Sequence, residues 1–138
     1  YYACRQPIPN HLAAVDYTLD LATDIHSACI DIDEIDLLVH AADEHDYRRN
    51  EIAAWLRVKL AALLDFQNAD GGFADARIGE LRQDGWIGGY SEPQGHSNAF
   101  ATWFRWIGIA MADRYLWPGR RGWRFRRMIG IGYRRPTP

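Results

Sequence analysis

The feature that most constrains the fold is an amphipathic helix that runs directly into a glycine-containing turn. Residues 51–66 repeat apolar side chains at three- and four-residue steps, which predicts a helix with one face in a core. The pattern stops at Gln67-Asn68-Ala69-Asp70-Gly71-Gly72-Phe73, where an aspartate and two glycines favour a chain reversal. This segment is predicted to be a joint between packed helices, with Gln67 satisfying free backbone groups. The predicted apolar face consists of Ile52, Trp55, Leu56, Leu60, Leu63 and Leu64.

The same periodicity predicts three further helices, and no strand-rich segment competes with them. Two of these helices, 11–23 and about 31–43, precede the first one, and the short link after residue 43 indicates antiparallel packing. The third begins at a cap formed by Ser97 or Asn98 and ends at about Leu116. We therefore predict an all-α fold built from helical hairpins.

Two segments fall outside the helical pattern. Residues 74–96 are rich in glycine, and a loop of this length is usually functional, disordered or poorly assigned. The C-terminal residues 119–138 interleave arginine with aromatic and aliphatic side chains, whereas all 18 acidic residues lie before position 114. We therefore divide the chain into a helical domain, 1–118, and a basic, Arg/aromatic-rich tail, 119–138.

The basic segment 120–135 suits three kinds of partner. It can dock onto an acidic face of the same or a neighbouring protein, lie at an anionic membrane surface, or stack on nucleic acid. Because the rest of the chain is strongly acidic, docking onto protein is the first expectation. A membrane surface is the second, and nucleic acid is the least favoured.

The sequence contains no run of about 18 apolar residues and no visible signal peptide. Its two cysteines, Cys4 and Cys29, are expected to stay reduced, as in most proteins without a secretory signal, and a disulfide between them is the less favoured alternative. These observations predict a cytoplasmic protein, with peripheral attachment to a membrane as the alternative. Because the chain begins with Tyr1 and not with methionine, we expect it to be a fragment, a processed product or the ordered part of a longer protein.

The joint resembles the glutamine-aromatic (QW) repeat of the squalene-hopene and oxidosqualene cyclase and prenyltransferase superfamily. Upstream, Asp31-Ile32-Asp33-Glu34 resembles the Asp-x-Asp-Asp acid motif of the class II terpene cyclases, with Glu34 in place of the last aspartate. The resemblance covers roughly 29–73 and is weaker through 116. It implies that the helices form part of an α/α toroid. A full ring needs more than four helices, so these four would form an open arc. Its inner face would be covered by missing chain, by the tail or by another copy.

The resemblance also implies a catalytic role for Asp33, flanked by Asp31 and Glu34. In the family, the middle aspartate protonates an alkene or epoxide of a polyprenyl substrate and starts a carbocation cascade. Burial beside like charges raises the pKa of an aspartate, as a general acid requires. The same residues also suit a helix start, with Asp31 as N-cap and Glu34 completing a capping box. Both interpretations stay open from the sequence.

A toroid implies a central cavity lined by the starts of helices. Aromatic rings that face such a cavity would stabilise cationic intermediates. Helix capping and core packing explain the same side chains without any substrate. The candidate substrate-binding residues are Trp55, Phe73, Glu92, Asn98, Trp103 and Phe104.

No pattern in the sequence indicates a metal or a cofactor. The histidines and cysteines lack His-Glu-x-x-His and Cys-x-x-Cys spacings. A nucleophile elbow, a phosphate loop and a dinucleotide fingerprint are also missing.

Three functional hypotheses follow. The first is a toroid domain of the terpene cyclase or prenyltransferase type that cyclises an apolar isoprenoid by acid initiation. The second is a non-catalytic helical scaffold of the same fold that binds a partner protein. The third is a carbohydrate-active α/α toroid. An enclosed apolar pocket around Asp33 would favour the first, and a solvated Asp33 with an exposed apolar patch elsewhere would favour the second.

Overall fold

Four α-helices make up the regular structure of this computed structural model, which describes residues 6, 9–79 and 93–124. No β-strand occurs among these residues, and an isolated β-bridge joins Gln67 to Phe73. The predicted all-α class is therefore confirmed, while the toroid arrangement stays a prediction. The helices are α1 (His11–Asp20), α2 (Ala28–Glu44), α3 (Arg49–Asp65) and α4 (Ala99–Leu116).

The start of α2 differs from the prediction. The helix begins at Ala28, and Ser27 occupies the N-cap position, so the expected N-cap role of Asp31 is wrong. The earlier start is stabilised from outside the helix, because the N–H of Ala28 donates to the carboxylate of Asp75 at 2.7 Å. Asp31 lies one turn inside the helix and accepts the N–H of His26 at 2.9 Å. Asp75 thus satisfies a donor that a helix start leaves free, and Asp31 binds the backbone just before the N-cap.

The core forms where the other three helices pack against α2. Gly108 of α4 permits a close approach to α2, because a Cβ atom there would lie only 3.1 Å from Cδ1 of Ile35. α4 also packs against α3. Apolar side chains from all four helices are buried in this core. They include Val15 of α1, Ile32, Ile35, Leu38 and Val39 of α2, Ile52, Leu56 and Leu63 of α3, and Phe104, Met111 and Ala112 of α4.

The predicted inner face of α3 is buried except at its last position. Leu64 is 47% exposed, so its predicted place in the core is wrong. At about 100° per residue, Leu64 lies about 120° around the helix from Ile52, which is beyond the edge of the buried stripe. A charged residue, Lys59, occupies a fully buried position on the inner face instead.

Candidate functional site

The joint after α3 is a compact hairpin closed by its own polar groups. The amide of Gln67 donates to the carbonyl of Gly71 at 2.9 Å, as expected for a glutamine that satisfies free backbone groups. The N–H of Gly72 donates to the Asp70 carboxylate at 2.9 Å, and this bond is the main cause of a lowered pKa for Asp70. Gly71 has a φ of 84°, which a residue with a side chain rarely adopts.

The hairpin is docked onto the start of α4. Phe73 donates its N–H to the hydroxyl of Thr102 at 2.9 Å, and its carbonyl accepts the N–H of Asn98 at 3.1 Å. Gly72 lies so close to Ser97 that an added Cβ would meet its Cβ and Oγ atoms at 2.7 Å. The side chain of Asn98 caps α4 by accepting the N–H of Ala101 at 2.7 Å. The joint therefore fixes the end of α3 against the start of α4.

Beneath this joint, a cluster of buried charges connects the helices. Nζ of Lys59 lies 2.7 Å from Oδ1 of Asp31 and 2.9 Å from Oε2 of Glu34. It also donates to the carbonyl of Asp24 at 2.6 Å. All three charged side chains are buried, so the two carboxylates compensate the ammonium in a region largely removed from water.

Arg105 of α4 contributes the second buried cation. Its guanidinium donates to the carboxylate of Asp31 at 2.6 Å and to the carbonyls of Ala74, Asp75 and His26 at 3.2, 2.9 and 3.3 Å. The guanidinium carbon also lies 4.6 Å from the centroid of the Phe66 ring. Arg105 therefore connects α4 to α2 and to the segment that follows the joint. It does so through these four donated hydrogen bonds and the contact with the Phe66 ring.

The acid motif is divided between two environments. Asp31 and Glu34 lie inside the charge cluster, where cations hold them, whereas Asp33 lies on the exposed side of α2. Partial burial, together with the nearby carboxylate of Asp36, raises the pKa of Asp33 above its ordinary value. The three acids do not converge on one point.

The residues expected to bind substrate are distributed over several sites. Trp55 is buried and donates its indole N–H to the carbonyl of Leu21 at 3.4 Å. Phe73 is buried in the joint. Trp103 is 55% exposed, and its ring lies 4.7 Å from the ring of buried Phe104. Asn98 is the cap of α4, and Glu92 lies outside the described residues.

Lys59 and Arg105 are functional candidates that the sequence reasoning missed. For Lys59 the signal was present in the periodicity, because it lies in register with the buried residues Leu56 and Leu63. Arg105 gave no such signal: it lies in register with Ala101, Gly108 and Ala112, whose small side chains are buried only through tertiary packing. A charge at a core position needs a buried counter-charge, and Asp31 and Glu34 supply it here.

The first residues of the basic tail contact α4. The indole N–H of Trp123 donates to the Asp113 carboxylate at 2.8 Å, and Nε of Arg121 lies 3.6 Å from the same carboxylate. The guanidinium carbon of Arg120 lies 5.1 Å from the centroid of the Trp117 ring. The rest of the tail, 125–138, lies outside the described residues, as do 80–92 of the Gly-rich loop.

In the described part of the chain, no helix combines the length and the apolar character needed to cross a bilayer. The same residues contain no group of three or more His, Cys, Asp or Glu side chains that could hold a metal ion. No protein-family model matches the sequence, and no curated protein or solved structure was found to be similar to it.

Proposed function

We propose that this chain is a non-catalytic helical scaffold, built like part of an α/α toroid, that binds a partner protein. The observation that carries the proposal is the division of the acid motif. Asp31 and Glu34 are held as buried counter-charges of Lys59, while Asp33 is exposed. An acid that protonates an alkene needs an enclosed site in which its proton is retained near neutral pH. The arrangement instead suits helix stabilisation.

The exposed apolar residues support a binding role. Val58 and Leu64 of α3 are about half exposed, and so is Trp103 of α4. Exposed apolar side chains are the material from which surfaces that bind other proteins are built. The rigid joint and the charge cluster hold these helices in fixed positions, which a binding surface requires.

Acid-initiated cyclisation of an isoprenoid is the second candidate. The raised pKa of Asp33 favours it, because a larger protonated fraction is what a general acid needs. The two candidates make opposite predictions for the Asp33→Asn variant. A scaffold should still bind its partner protein in this variant, whereas a cyclase should no longer convert an isoprenoid into a cyclic product.

The test combines a product assay with a stability measurement. Wild-type protein and the Asp33→Asn variant are incubated with squalene, and the extracts are analysed by gas chromatography and mass spectrometry. The scaffold proposal expects unreacted squalene from both proteins. A cyclic product that forms with the wild type and disappears in the variant would refute it.

The stability of the same variant has a defined pH dependence. A carboxyl group whose pKa is raised by folding destabilises the folded state increasingly as the pH rises from its unfolded pKa through its folded pKa. Asp33→Asn should therefore leave stability equal or slightly higher at neutral pH, within about 0.5 kcal/mol. The matched variant Asp31→Asn should be clearly destabilised, because it leaves Lys59 and Arg105 short of a buried counter-charge. Equal effects of the two variants would contradict the division of the motif.

A further inference from the structure

The chain makes a tight turn immediately after α4. The N–H of Arg120 donates to the carbonyl of Trp117 at 3.1 Å, and Gly119 between them has a φ of 81°. Pro118 precedes this glycine, and a proline followed by a glycine with positive φ is typical of a type II turn. We call residues 117–124 the basic turn, because the sequence from here to its end contains arginine and no acidic residue.

One buried carboxylate holds the basic turn against α4. Asp113 is only 6% exposed, and it accepts the indole N–H of Trp123 at 2.8 Å. Nε of Arg121 lies 3.6 Å from the same carboxylate, and the Trp123 ring lies 6.4 Å from the ring of Trp106, measured between centroids. These contacts fix the position of the basic turn, and they use only one of its three arginines.

The other two arginines present their charge to solvent. Arg120 and Arg124 are exposed, and neither forms an ion pair with any residue that the structure describes. The guanidinium carbon of Arg120 lies 5.1 Å from the centroid of the Trp117 ring, a stacked contact that leaves the N–H groups of the guanidinium free to donate. Guanidinium groups bind carboxylates through two parallel hydrogen bonds, so the basic turn is complementary to acidic side chains.

The aromatic rings of the basic turn are already engaged, which favours a protein partner over nucleic acid or a membrane. A base stacks on an open ring face, but Arg120 covers one face of Trp117, and Trp123 lies beside Trp106. A membrane surface takes up apolar side chains, whereas both indoles are partly buried and Trp123 is held by its hydrogen bond to α4. The groups that stay accessible are therefore the two guanidinium groups.

We propose that the basic turn binds an acidic segment of a partner protein. Arg120 and Arg124 contact the carboxylates of the partner, and Asp113 is the residue that positions the basic turn. This contact rests on the proposed scaffold function and specifies the chemistry of its partner. Because the two cations are exposed, the affinity should fall as the salt concentration rises.

Fluorescence anisotropy of a fluorescein-labelled octaglutamate peptide, titrated with the full chain at low salt, tests the contact. The double variant Arg120→Gln with Arg124→Gln should weaken binding by about tenfold, because it removes two exposed ion pairs. The matched control is Arg134→Gln with Arg135→Gln, which removes the same charge from the sequence beyond the basic turn. It should weaken binding by less than about threefold, because more distant exposed charges are screened.

Asp113→Ala separates a positioned site from general attraction between opposite charges. The variant makes the chain more positive, so general attraction alone would strengthen peptide binding. Loss of the contacts to Trp123 and Arg121 should instead weaken binding by about threefold or more, because the basic turn is no longer held in its binding geometry. Trp123→Phe removes only the indole donor and leaves the charge unchanged, and it should act in the same direction. Circular dichroism checks that both variants are folded, and Trp123→Phe decides the question if Asp113→Ala does not fold.

Several results would overturn the contact: no binding of the peptide, equal losses from the two pairs of arginine variants, or tighter binding by Asp113→Ala. Tighter binding of an octathymidine oligonucleotide than of the peptide would assign the basic turn to nucleic acid. Co-sedimentation with phosphatidylserine-containing vesicles, without binding of the peptide, would assign it to a membrane. None of these results would produce turnover of squalene. Conversely, an Asp33-dependent product would refute the scaffold function and leave the peptide titration unchanged.

Discussion

Replacing Arg105 with methionine tests whether the charge cluster stabilises the fold. The variant keeps most of the side-chain volume but removes the cation and its four donated hydrogen bonds. Asp31 then keeps only Lys59 as a counter-charge, and three backbone carbonyls lose a buried donor. Breaking a buried ion pair from one side costs about 3–5 kcal/mol. This is a large part of the 5–15 kcal/mol or so by which a domain is usually stable.

The assay is urea unfolding followed by circular dichroism, since urea is uncharged and leaves ion pairs unscreened. With a urea dependence of about 1.5 kcal/mol per molar, the unfolding midpoint should fall by about 2–3 M. Arg105→Lys should recover part of this loss, because lysine restores the charge but not the planar set of donors. The control is Arg57→Met at an exposed position of α3, which should change stability by no more than about 0.5 kcal/mol. A loss below about 1 kcal/mol for Arg105→Met would refute the assigned role.

Three further predictions concern the joint and the helix starts. Gly72→Ala should cost about 1–3 kcal/mol in unfolding free energy, because its Cβ would overlap Ser97, and adding Ser97→Gly should recover part of the loss if the cause is steric. Asn98→Ala should cost about 1 kcal/mol by removing a cap, whereas Ser27→Ala, at an N-cap position without a side-chain cap bond, should cost less. The pKa of Asp70 is lowered in the folded state, so its stabilisation is present above the unfolded value near 3.8 and is lost as the pH falls through the lower folded value. Asp70→Asn should therefore reduce the pH dependence of stability in that acidic range, and urea titrations at several pH values would reveal it.

Local signals in the sequence were sufficient for much of the fold. The periodicity of residues 51–66 predicted α3 to within two residues at its start and one at its end. The glycines of the joint predicted a reversal, although only Gly71 uses a positive φ, and Gly72 is needed for its closeness to Ser97. That second requirement is a tertiary contact, and no local pattern could reveal it. Leu64 was misplaced for a related reason, because an apolar residue on an exposed face looks the same in sequence as one in the core.

The start of α2 could not be predicted because its stabilising partner is distant in sequence. Asp75 lies 47 residues from Ala28, and its carboxylate accepts the N–H that begins the helix. From local sequence, Asp31 was the better candidate for the cap. Such long-range capping determines where a helix begins without leaving a signal near the helix itself.

The helix start in turn determines what the acid motif can do. Because α2 begins at Ala28, Asp31, Asp33 and Glu34 all lie within regular helix, where each residue turns by about 100°. Asp31 and Glu34 are then about 60° apart, so both can face Lys59. Asp33 lies about 160° from Asp31, on the opposite side of the helix. Three acids with this spacing cannot converge on one point within regular helix, and the hydrogen bond from Ala28 to Asp75 stabilises the helix one turn before the motif.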